Sequence, residues 1–529
     1  MEPLIAGYKL PPVIGAQGIG EYMSVSNPNN PELIDETDVE LLATMGYKQE
    51  LRRQYSSIHI FAIAFSILAL LPSMAASLPL SLPAGPAGMV WGWLTASGFI
   101  FIVGLAIADL ASSLPTSGGL YWWTHYFAKE QFKNPLSFLV GYSSAIGLVG
   151  GTCSVDYGFA KMILSIVSIC STSKWTASSP IVFGVFVACV ITHAILATFA
   201  SKIMHKIQTA FIVANVVLIM ATVIALPIGK SRTEQGLNSM RYVFFHQENF
   251  TTWPSGWTFM LAWLSPIWSI GGVDSCVYMS EEAKDARRSV PHGILGSVGA
   301  CWVLGFICIC IIAACMNPDI GSLLQSPFGQ PMAQIYYDAL GKESAIVFMA
   351  LMSCLQYFMG LSLLLAASRQ SWAFARDGAL PFSTFFRVVS TRINCQPVRT
   401  VWGCAGSAIV VGLICLIHPI AAKALFSLGV AANGLSWAIT IFCRVAWGRK
   451  KFTPGPFYTG ILSTPIAITA LIYLAFAILL CMFPAQGPHP TAKTMNYTVV
   501  VNVTLWGGAL LYYFLFARKW FNGPQTTLK

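Results

Sequence analysis

The chain alternates long apolar blocks with short polar ones. Twelve blocks approach the roughly 20 apolar residues that carry a helix across a bilayer: 57–77, 88–110, 136–158, 179–200, 207–228, 256–279, 292–315, 345–368, 400–418, 422–444, 463–483 and 497–517. The third and eighth run on apolar beyond these limits. The connections are short, the longest outer one being about 229–255, so none encloses a sizeable soluble domain. The pattern predicts an all-α membrane protein of twelve transmembrane helices. Residues 1–50 form a cytosolic, mostly disordered tail, 51–517 the membrane domain, and 518–529 a cytosolic tail. Two short amphipathic helices are expected outside the blocks, over Asp38–Arg53 and Gln330–Leu340.

The sixth block is interrupted. It runs from near Trp257 to Met279 and contains Trp268-Ser-Ile270-Gly271-Gly272-Val-Asp274. The glycine pair lets the helix unwind, which places Asp274 close to hydrocarbon depth, where a carboxylate is costly and functional. The first block holds Leu71-Pro72-Ser73-Met74-Ala75, and Pro72 removes a helix donor and disfavours helical geometry before it. Broken helices five spans apart fit two five-helix inverted repeats with a substrate site between them. Half-helix N-termini suit a carboxylate, whereas exposed carbonyls and Asp274 suit an ammonium group. Pro72, Ser73, Met74, Trp268, Ile270, Gly271, Gly272 and Asp274 are therefore the candidate substrate contacts. The bland alternatives are a simple proline kink and a structural hydrogen-bonding acid.

Composition agrees: 55% of the 529 residues are hydrophobic and 10% charged, against about 25% charged in soluble domains. The mean hydropathy is +0.65. Charge then orients the chain. Of 31 Lys and Arg, 23 fall in the N-terminal tail, in alternate connections and after the last block. Seven fall in the other connections, and Lys161 lies in or just past span three. Cytosolic loops carry the excess of Lys and Arg, so both termini are expected in the cytosol. The net charge of +10 reports this topology, not an affinity for nucleic acid. The 14 Cys follow no metal-ligand spacing, and no cofactor or metal site is expected. Residues 1–50 lack the basic start and apolar core of a cleaved signal peptide. Asn249-Phe-Thr251 is a glycosylation sequon in an outer loop. Asn496 lies outside near the membrane, and Asn502 inside span twelve.

Other acids and charge runs remain. Asp156, in Cys153-Ser-Val-Asp156-Tyr157, is the second intramembrane acid. It could bind the amine, carry a proton or pair with Lys161. Burial raises a carboxylate's pKa, which makes Asp156 and Asp274 the candidate proton carriers. Asp109 precedes Pro115-Thr-Ser-Gly118-Gly119-Leu-Tyr121-Trp122-Trp123, a tight reentry in which it reads as structural. After the broken helix comes Glu281-Glu282-Ala-Lys284-Asp285-Ala-Arg287-Arg288. After span eight comes Arg369-Gln-Ser-Trp372-Ala-Phe374-Ala-Arg376-Asp377. Either these are solvated loops, or Glu281, Glu282, Lys284 and Arg287 meet Arg376 and Asp377 as a cytosolic gate built from partly exposed pairs.

In combination these runs resemble the amino acid–polyamine–organocation (APC) superfamily. The similarity is greatest to its fungal amino acid/choline transporter branch, and within that to GABA permeases. Gly46-Tyr-Lys-Gln-Glu-Leu51, Pro454-Gly-Pro-Phe-Tyr458 and Thr494-Met-Asn-Tyr497 add to the match, which covers about 40–525. The resemblance implies a five-plus-five inverted repeat with two extra C-terminal helices, and uptake driven by a proton gradient. Three departures qualify it. The span-one break lacks the glycine-rich nest of α-amino-acid carriers. Span five, reading Phe211-Ile-Val-Ala-Asn215, lacks the lysine some proton-coupled members place there. Lys161 stands where the GABA-type pattern has an acid. The expected function is a proton-coupled importer, not an enzyme, of GABA or a related small amino acid or amine, in the plasma or vacuolar membrane. Choline, polyamine or thiamine uptake is the alternative within the branch, and a non-transporting nutrient sensor the alternative outside it.

Overall fold

The computed structural model describes residues 36–525, apart from 52, 54, 172–174, 176, 200–203, 391–392, 394–395, 418 and 492–494. The regular elements in this range are helices joined by irregular connections. In chain order the helices are α1 Glu36–Thr44, α2 Ser57–Leu68, α3 Leu70–Ser81, α4 Gly85–Ser113, α5 Gly119–Phe127, α6 Lys133–Cys170, α7 Ser179–Phe199 and α8 Met204–Ser231. Then follow α9 Met240–Phe245, α10 Ser255–Ala262, α11 Leu264–Ser269, α12 Ser275–Tyr278, α13 Ala286–Cys315, α14 Ile320–Leu324 and α15 Pro331–Arg376. The last are α16 Ser383–Phe386, α17 Val398–Gly412, α18 Ile414–Ile417, α19 Pro419–Ala446, α20 Ser463–Met482 and α21 Thr498–Leu515. Among the described residues, extended pairing is limited to two isolated bridges, Tyr55 with Ala283 and Ser390 with Gln396.

Among the described residues, ten helical stretches are long and apolar enough to cross a membrane. The first of them, Ser57–Ser113, contains α2, α3 and α4. The sixth apolar block is absent from the ten because it is cut into α10, α11 and α12. α6 lies along both α15 and α19, and α4 along α13. Small residues permit the closest approach: Gly429 of α19 faces the backbone of Gly147 and Gly151 on α6, as in bilayers, where backbone proximity and packing hold helices together. The outward faces are apolar. Val213, Val217, Met220, Ile224 and Ile228 form one exposed stripe along α8, spaced for a single helix face. In water such a patch would drive association; against hydrocarbon it costs nothing.

The structure adds detail to three of the expected elements. α6 continues past 158 to Cys170, so Lys161 sits on a helix face, with its ammonium 5.1 Å from the centre of the Tyr157 ring. The amphipathic segment expected over 330–340 is the first part of α15, set off from the rest by Gly341 at φ 78° and ψ 175°. In the N-terminal tail a short helix falls at the start of the segment expected over Asp38–Arg53. α1 takes up 36–44, and Leu41, Leu42, Met45 and Tyr47 are buried against the membrane domain. Residues 1–35 lie outside the described range.

Candidate functional site

The first helix breaks at Ala69, not at Pro72. Its left-handed backbone (φ 34°, ψ 66°) separates α2 from α3. The cause is still Pro72. A continuous helix would have residue 72 donate to the carbonyl of Leu68, and proline has no N–H. The Ser73 hydroxyl takes that carbonyl instead, at 2.5 Å, while the Ser73 amide bonds Ala69 at 3.0 Å. Pro72 itself is comfortable in the first turn of α3, where its missing N–H is no loss. Hence the first-turn amides without an intrahelical acceptor belong to Leu70 and Leu71, rather than to Pro72, Ser73 and Met74 as the sequence suggested. Ser73 and Met74 are buried directly behind them.

The second break is where the glycine pair stands. α11 ends at Ser269, the chain turns through 270–274, and α12 starts at Ser275. The Ile270 amide bonds Pro266 at 2.9 Å and the Gly271 amide bonds Trp268 at 3.2 Å. A β-carbon on Gly272 would lie 2.8 Å from Ile67 Cγ2, so the two breaks touch and only glycine fits. Beside them the Ser77 hydroxyl meets those of Ser265 at 2.8 Å and Ser269 at 2.9 Å, tying α3 to α11. Trp268 and Ile270 are buried at the same place.

Asp274 closes the second break and is fully buried. Its Oδ2 accepts from the Tyr278 hydroxyl at 2.6 Å, and its Oδ1 has no hydrogen-bond partner. The Trp437 indole lies beside the carboxylate and the Ser144 hydroxyl beside Tyr278. Neither reaches hydrogen-bond geometry, and both polar atoms are buried without a partner. Ser275 Oγ and Asn433 Oδ1 are in the same condition. Asn433 and Trp437 are one turn apart on α19, hence on one face, and Asn433 presses on Gly147 of α6. Buried polar atoms are ordinarily paired, so a concentration of orphans around one carboxylate marks a place built for a polar guest. On the other side of Trp437 and Gly271, a mostly apolar cavity of ≈20 Å³ is bordered by Ile270, Tyr473 and Leu474 and does not reach Asp274; it is about enough for one water. A larger guest requires the helices to part.

Asp156 is elsewhere. It is buried on α6 with its Oδ2 3.2 Å from His193 Nδ1 on α7, and it does not pair with Lys161. Asp156, Cys189 and His193 are the group among the described residues whose ligand atoms, within 4.8 Å of one another, could hold a metal ion.

The two charge runs do meet, but as buried pairs rather than partly exposed ones. Arg376 makes a bidentate contact with Glu281, Nη1 to Oε2 at 3.0 Å and Nη2 to Oε1 at 3.2 Å. Arg369 Nε reaches Glu282 Oε1 at 2.9 Å. The Arg376 guanidinium lies over the Tyr47 ring at 4.0 Å. Asp377 accepts hydroxyl bonds from Tyr47 at 2.9 Å and Tyr121 at 2.8 Å, and faces the Gln525 amide at 3.4 Å. The N-terminal segment is stitched on as well: Arg53 pairs with Asp38 at 3.3 Å, and the Tyr55 amide bonds Glu282 at 3.1 Å. Lys284 is exposed, and Arg287 Nε donates to the Ser112 carbonyl at 3.1 Å, so neither joins the core of the cluster.

Asp109 is a packing hub. It accepts from the Thr459 amide at 3.0 Å, the Thr459 hydroxyl at 2.7 Å and the Ser463 hydroxyl at 2.6 Å, with Arg444 at 3.5 Å. Asn249 is exposed. Its amide donates to the Trp253 carbonyl at 2.7 Å, and its Oδ1 accepts from the Thr251 hydroxyl at 2.7 Å. Sequence reasoning missed His193, Tyr278, Ser144, Asn433, Trp437, Tyr47 and Tyr121. His193 carried a signal, since an ionisable side chain within an apolar block is a functional candidate. The others are ordinary residues until the fold gathers them.

Two broken helices meeting at their breaks, one holding a buried acid with an unpartnered oxygen, within an apolar helical bundle, make the construction of a secondary transporter. The chain belongs to the amino acid permease family, whose sequence pattern matches residues 55–505. It is 44% identical over 493 residues to a GABA-specific permease of Saccharomyces cerevisiae, covering 93% of this chain and 86% of that one. It is 32% identical to an uncharacterized amino-acid permease of Schizosaccharomyces pombe, over 93% of this chain and 90% of the other. It is 27% identical to amino-acid permease 2 of Neurospora crassa, again over 93% and 90%.

Proposed function

We propose that the chain imports GABA, or a closely related small amino acid, together with a proton. The observation that carries this reading is Asp274: a buried carboxylate with one unpartnered oxygen, in the unwound segment facing the first helix break. Its charge suits the substrate ammonium. The Leu70 and Leu71 amides, at the positive end of α3, suit the substrate carboxylate. The similarity to a GABA-specific permease supports a γ-amino acid. In this reading Ser57–Ser113 crosses twice and the broken stretch once, giving twelve spans, with the broken helices opening each of two inverted five-helix repeats. The bias of Lys and Arg supports cytosolic termini, in the plasma or vacuolar membrane. Asn249 then lies outside and is a candidate for glycosylation.

Radiolabelled GABA uptake in a transport-deficient host tests the substrate. GABA should accumulate, and choline and putrescine, which lack the carboxylate, should compete poorly. Uptake should fall as external pH rises, collapse with a protonophore and survive replacement of sodium. Stronger competition by choline or putrescine would remove the carboxylate role in favour of an organocation carrier. A strict sodium requirement would remove the proton.

The Glu281–Arg376 and Glu282–Arg369 pairs, with Asp377, act in this reading as the cytosolic gate, shut here. Asp377, just beyond the membrane-spanning part of α15, has its carboxyl pushed up to about 6, chiefly by burial, against the opposing pull of Arg376 and the two tyrosine hydroxyls. Opening the gate hydrates Asp377 and returns it toward the ordinary value near ~3.9. The closed gate therefore binds the proton more tightly, is favoured as cytosolic pH falls below about 6, and loses that advantage as pH rises through it. Turnover measured in vesicles should slow on acidifying the lumen-equivalent of the cytosol, and Asp377→Asn should flatten that response. An unchanged response in the variant would detach Asp377 from gating.

A further inference from the structure

We propose that Asp156, Cys189 and His193 hold a divalent zinc ion that clips α6 to α7. The inference is independent of the substrate and of the coupling ion. Asp156 lies on α6. Cys189 and His193 are four residues apart on α7, so both project from one helix face. All three are buried, and their ligand atoms lie within 4.8 Å of one another. His193 Nδ1 stands 3.2 Å from Asp156 Oδ2 and 4.0 Å from Cys189 Sγ. Around a tetrahedral zinc ion, with bonds of about 2.0–2.2 Å to nitrogen or oxygen and about 2.3 Å to sulfur, the corresponding atoms stand about 3.4 and 3.6 Å apart. The nitrogen–oxygen edge already has nearly this length, and a small side-chain movement of Cys189 closes the other.

Charge selects the ion. Cysteine binds a metal as thiolate and aspartate as carboxylate, while imidazole binds neutral. A divalent cation on this set is neutral overall, the state an apolar interior tolerates. Thiolate and imidazole favour zinc, whereas magnesium and calcium take oxygen ligands. As the sulfur–zinc bond forms, the thiol releases its proton to water, and no electrons move. Asp156 Oδ1 is buried with no hydrogen-bond partner, so a second carboxylate oxygen is free to complete the four-coordinate shell. An Asp156–His193 ion pair alone explains neither that oxygen nor the thiol beside it.

The walls are tight. The Tyr357 ring centre lies 4.2 Å from that of the imidazole, with its hydroxyl on Thr192 at 2.8 Å. A β-carbon at Gly360 of α15 would fall 1.9 Å from Asp156 Oδ1 and 2.8 Å from His193 Cε1, so only glycine leaves the carboxylate its place. Such enclosure is that of a structural zinc site, which is closed, rather than of a catalytic one. α6 also carries Ser144 beside Tyr278, and Gly147 and Gly151 against α19. Fixing α6 to α7 therefore steadies one wall of the substrate site. In this assignment Asp156 holds the ion and not the coupling proton, which leaves Asp274 as the intramembrane carrier. Cysteine spacing could not reveal the site, because only one thiol takes part.

The test uses the full-length protein, purified in detergent, loaded with Zn²⁺ and freed of excess ion. Metal content is counted by plasma mass spectrometry. Wild type should keep about one zinc per chain. Co²⁺ in its place should show a thiolate-to-cobalt charge-transfer band and the d–d bands of a tetrahedral site. Cys189→Ser should lose the charge-transfer band, and His193→Gln should bind zinc about ten-fold or more weakly. Cys153→Ser, one turn before Asp156 and outside the three ligands, should keep both properties. A strong chelator should lower the unfolding temperature of wild type and leave that of Cys189→Ser unchanged. A wild type that retains no zinc, or whose cobalt form lacks the thiolate band, overturns the proposal. Equal retention by wild type, Cys189→Ser and His193→Gln shows an adventitious ion only and overturns it too. If the ligand variants fail to fold, the cobalt spectrum of wild type decides. Metal content and spectrum do not depend on transport, so failure of the GABA reading leaves this inference standing.

Discussion

Asp274→Asn should abolish concentrative uptake while the protein still folds and reaches its membrane. Asparagine keeps the shape, and its carbonyl oxygen can still accept the Tyr278 hydroxyl that now sits 2.6 Å from Oδ2. What disappears is the charge on the unpartnered Oδ1. Truncating one partner of a buried charged pair costs about 2–5 kcal/mol, which is roughly thirty-fold to several thousand-fold in affinity. GABA uptake and surface abundance, measured in the same cells, check this. Tyr278→Phe should cost less, because it removes a hydrogen bond and no charge. Normal uptake by a well-targeted Asp274→Asn would show that the amine is held elsewhere.

The second large effect concerns the buried pairs beyond the broken helix. Surface ion pairs are worth little, and the sequence alone suggested that kind. Glu281 and Arg376 are instead almost completely enclosed and meet through two bonds. Leaving one such charge without its partner costs about 3–5 kcal/mol, enough to invert two conformations separated by a few kcal/mol. Arg376→Glu should therefore hold the carrier open toward the cytosol. Maximal uptake should collapse while the substrate concentration for half-maximal binding changes little, and a cysteine introduced at Ser117, a buried residue whose amide donates to Glu281 Oε1 at 3.1 Å, should become reactive from the cytosolic side. Combining Arg376→Glu with Glu281→Arg should recover part of the rate. If neither single reversal alters turnover or reactivity, the cluster serves folding and not gating.

Much of the fold was readable because a bilayer imposes a coarse rule. Apolar blocks of near-constant length and alternating basic connections are hard to mistake, and the helices fall on the expected blocks to within a few residues, apart from the long overruns of α6 and α15. The glycine pair placed the second break because glycine acts where it stands. Proline does not: Pro72 withholds a donor from the residue four positions earlier, so the chain yields at Ala69. Of the charged residues expected to meet beyond the broken helix, Glu281 pairs with Arg376, Glu282 turns to Arg369, and Lys284 and Arg287 stay outside the cluster; the burial of the pairs was misjudged. Tyr47 and Tyr121 enclose them from distant stretches with no periodic signal, joined by Trp372 from one turn earlier on the same helix as Arg376. His193 gave a weaker signal than the acids because an imidazole can sit neutral within an apolar block.

The distance along the chain between Asp109 and the groups that satisfy it has a consequence for biogenesis. Its donors, Thr459 and Ser463, follow it by 350 and 354 residues. At about 5–20 residues per second of synthesis, the carboxylate waits on the order of 20–70 s between its own insertion and the arrival of its donors. For that time the second apolar block sits in or beside the bilayer with an unsatisfied acid at its end. The insertion machinery, the lipid headgroups or water must shield it meanwhile. The final third of the chain thus serves as a checkpoint for the first: a chain that stalls before residue 459 exposes a defect within the membrane that quality control can read.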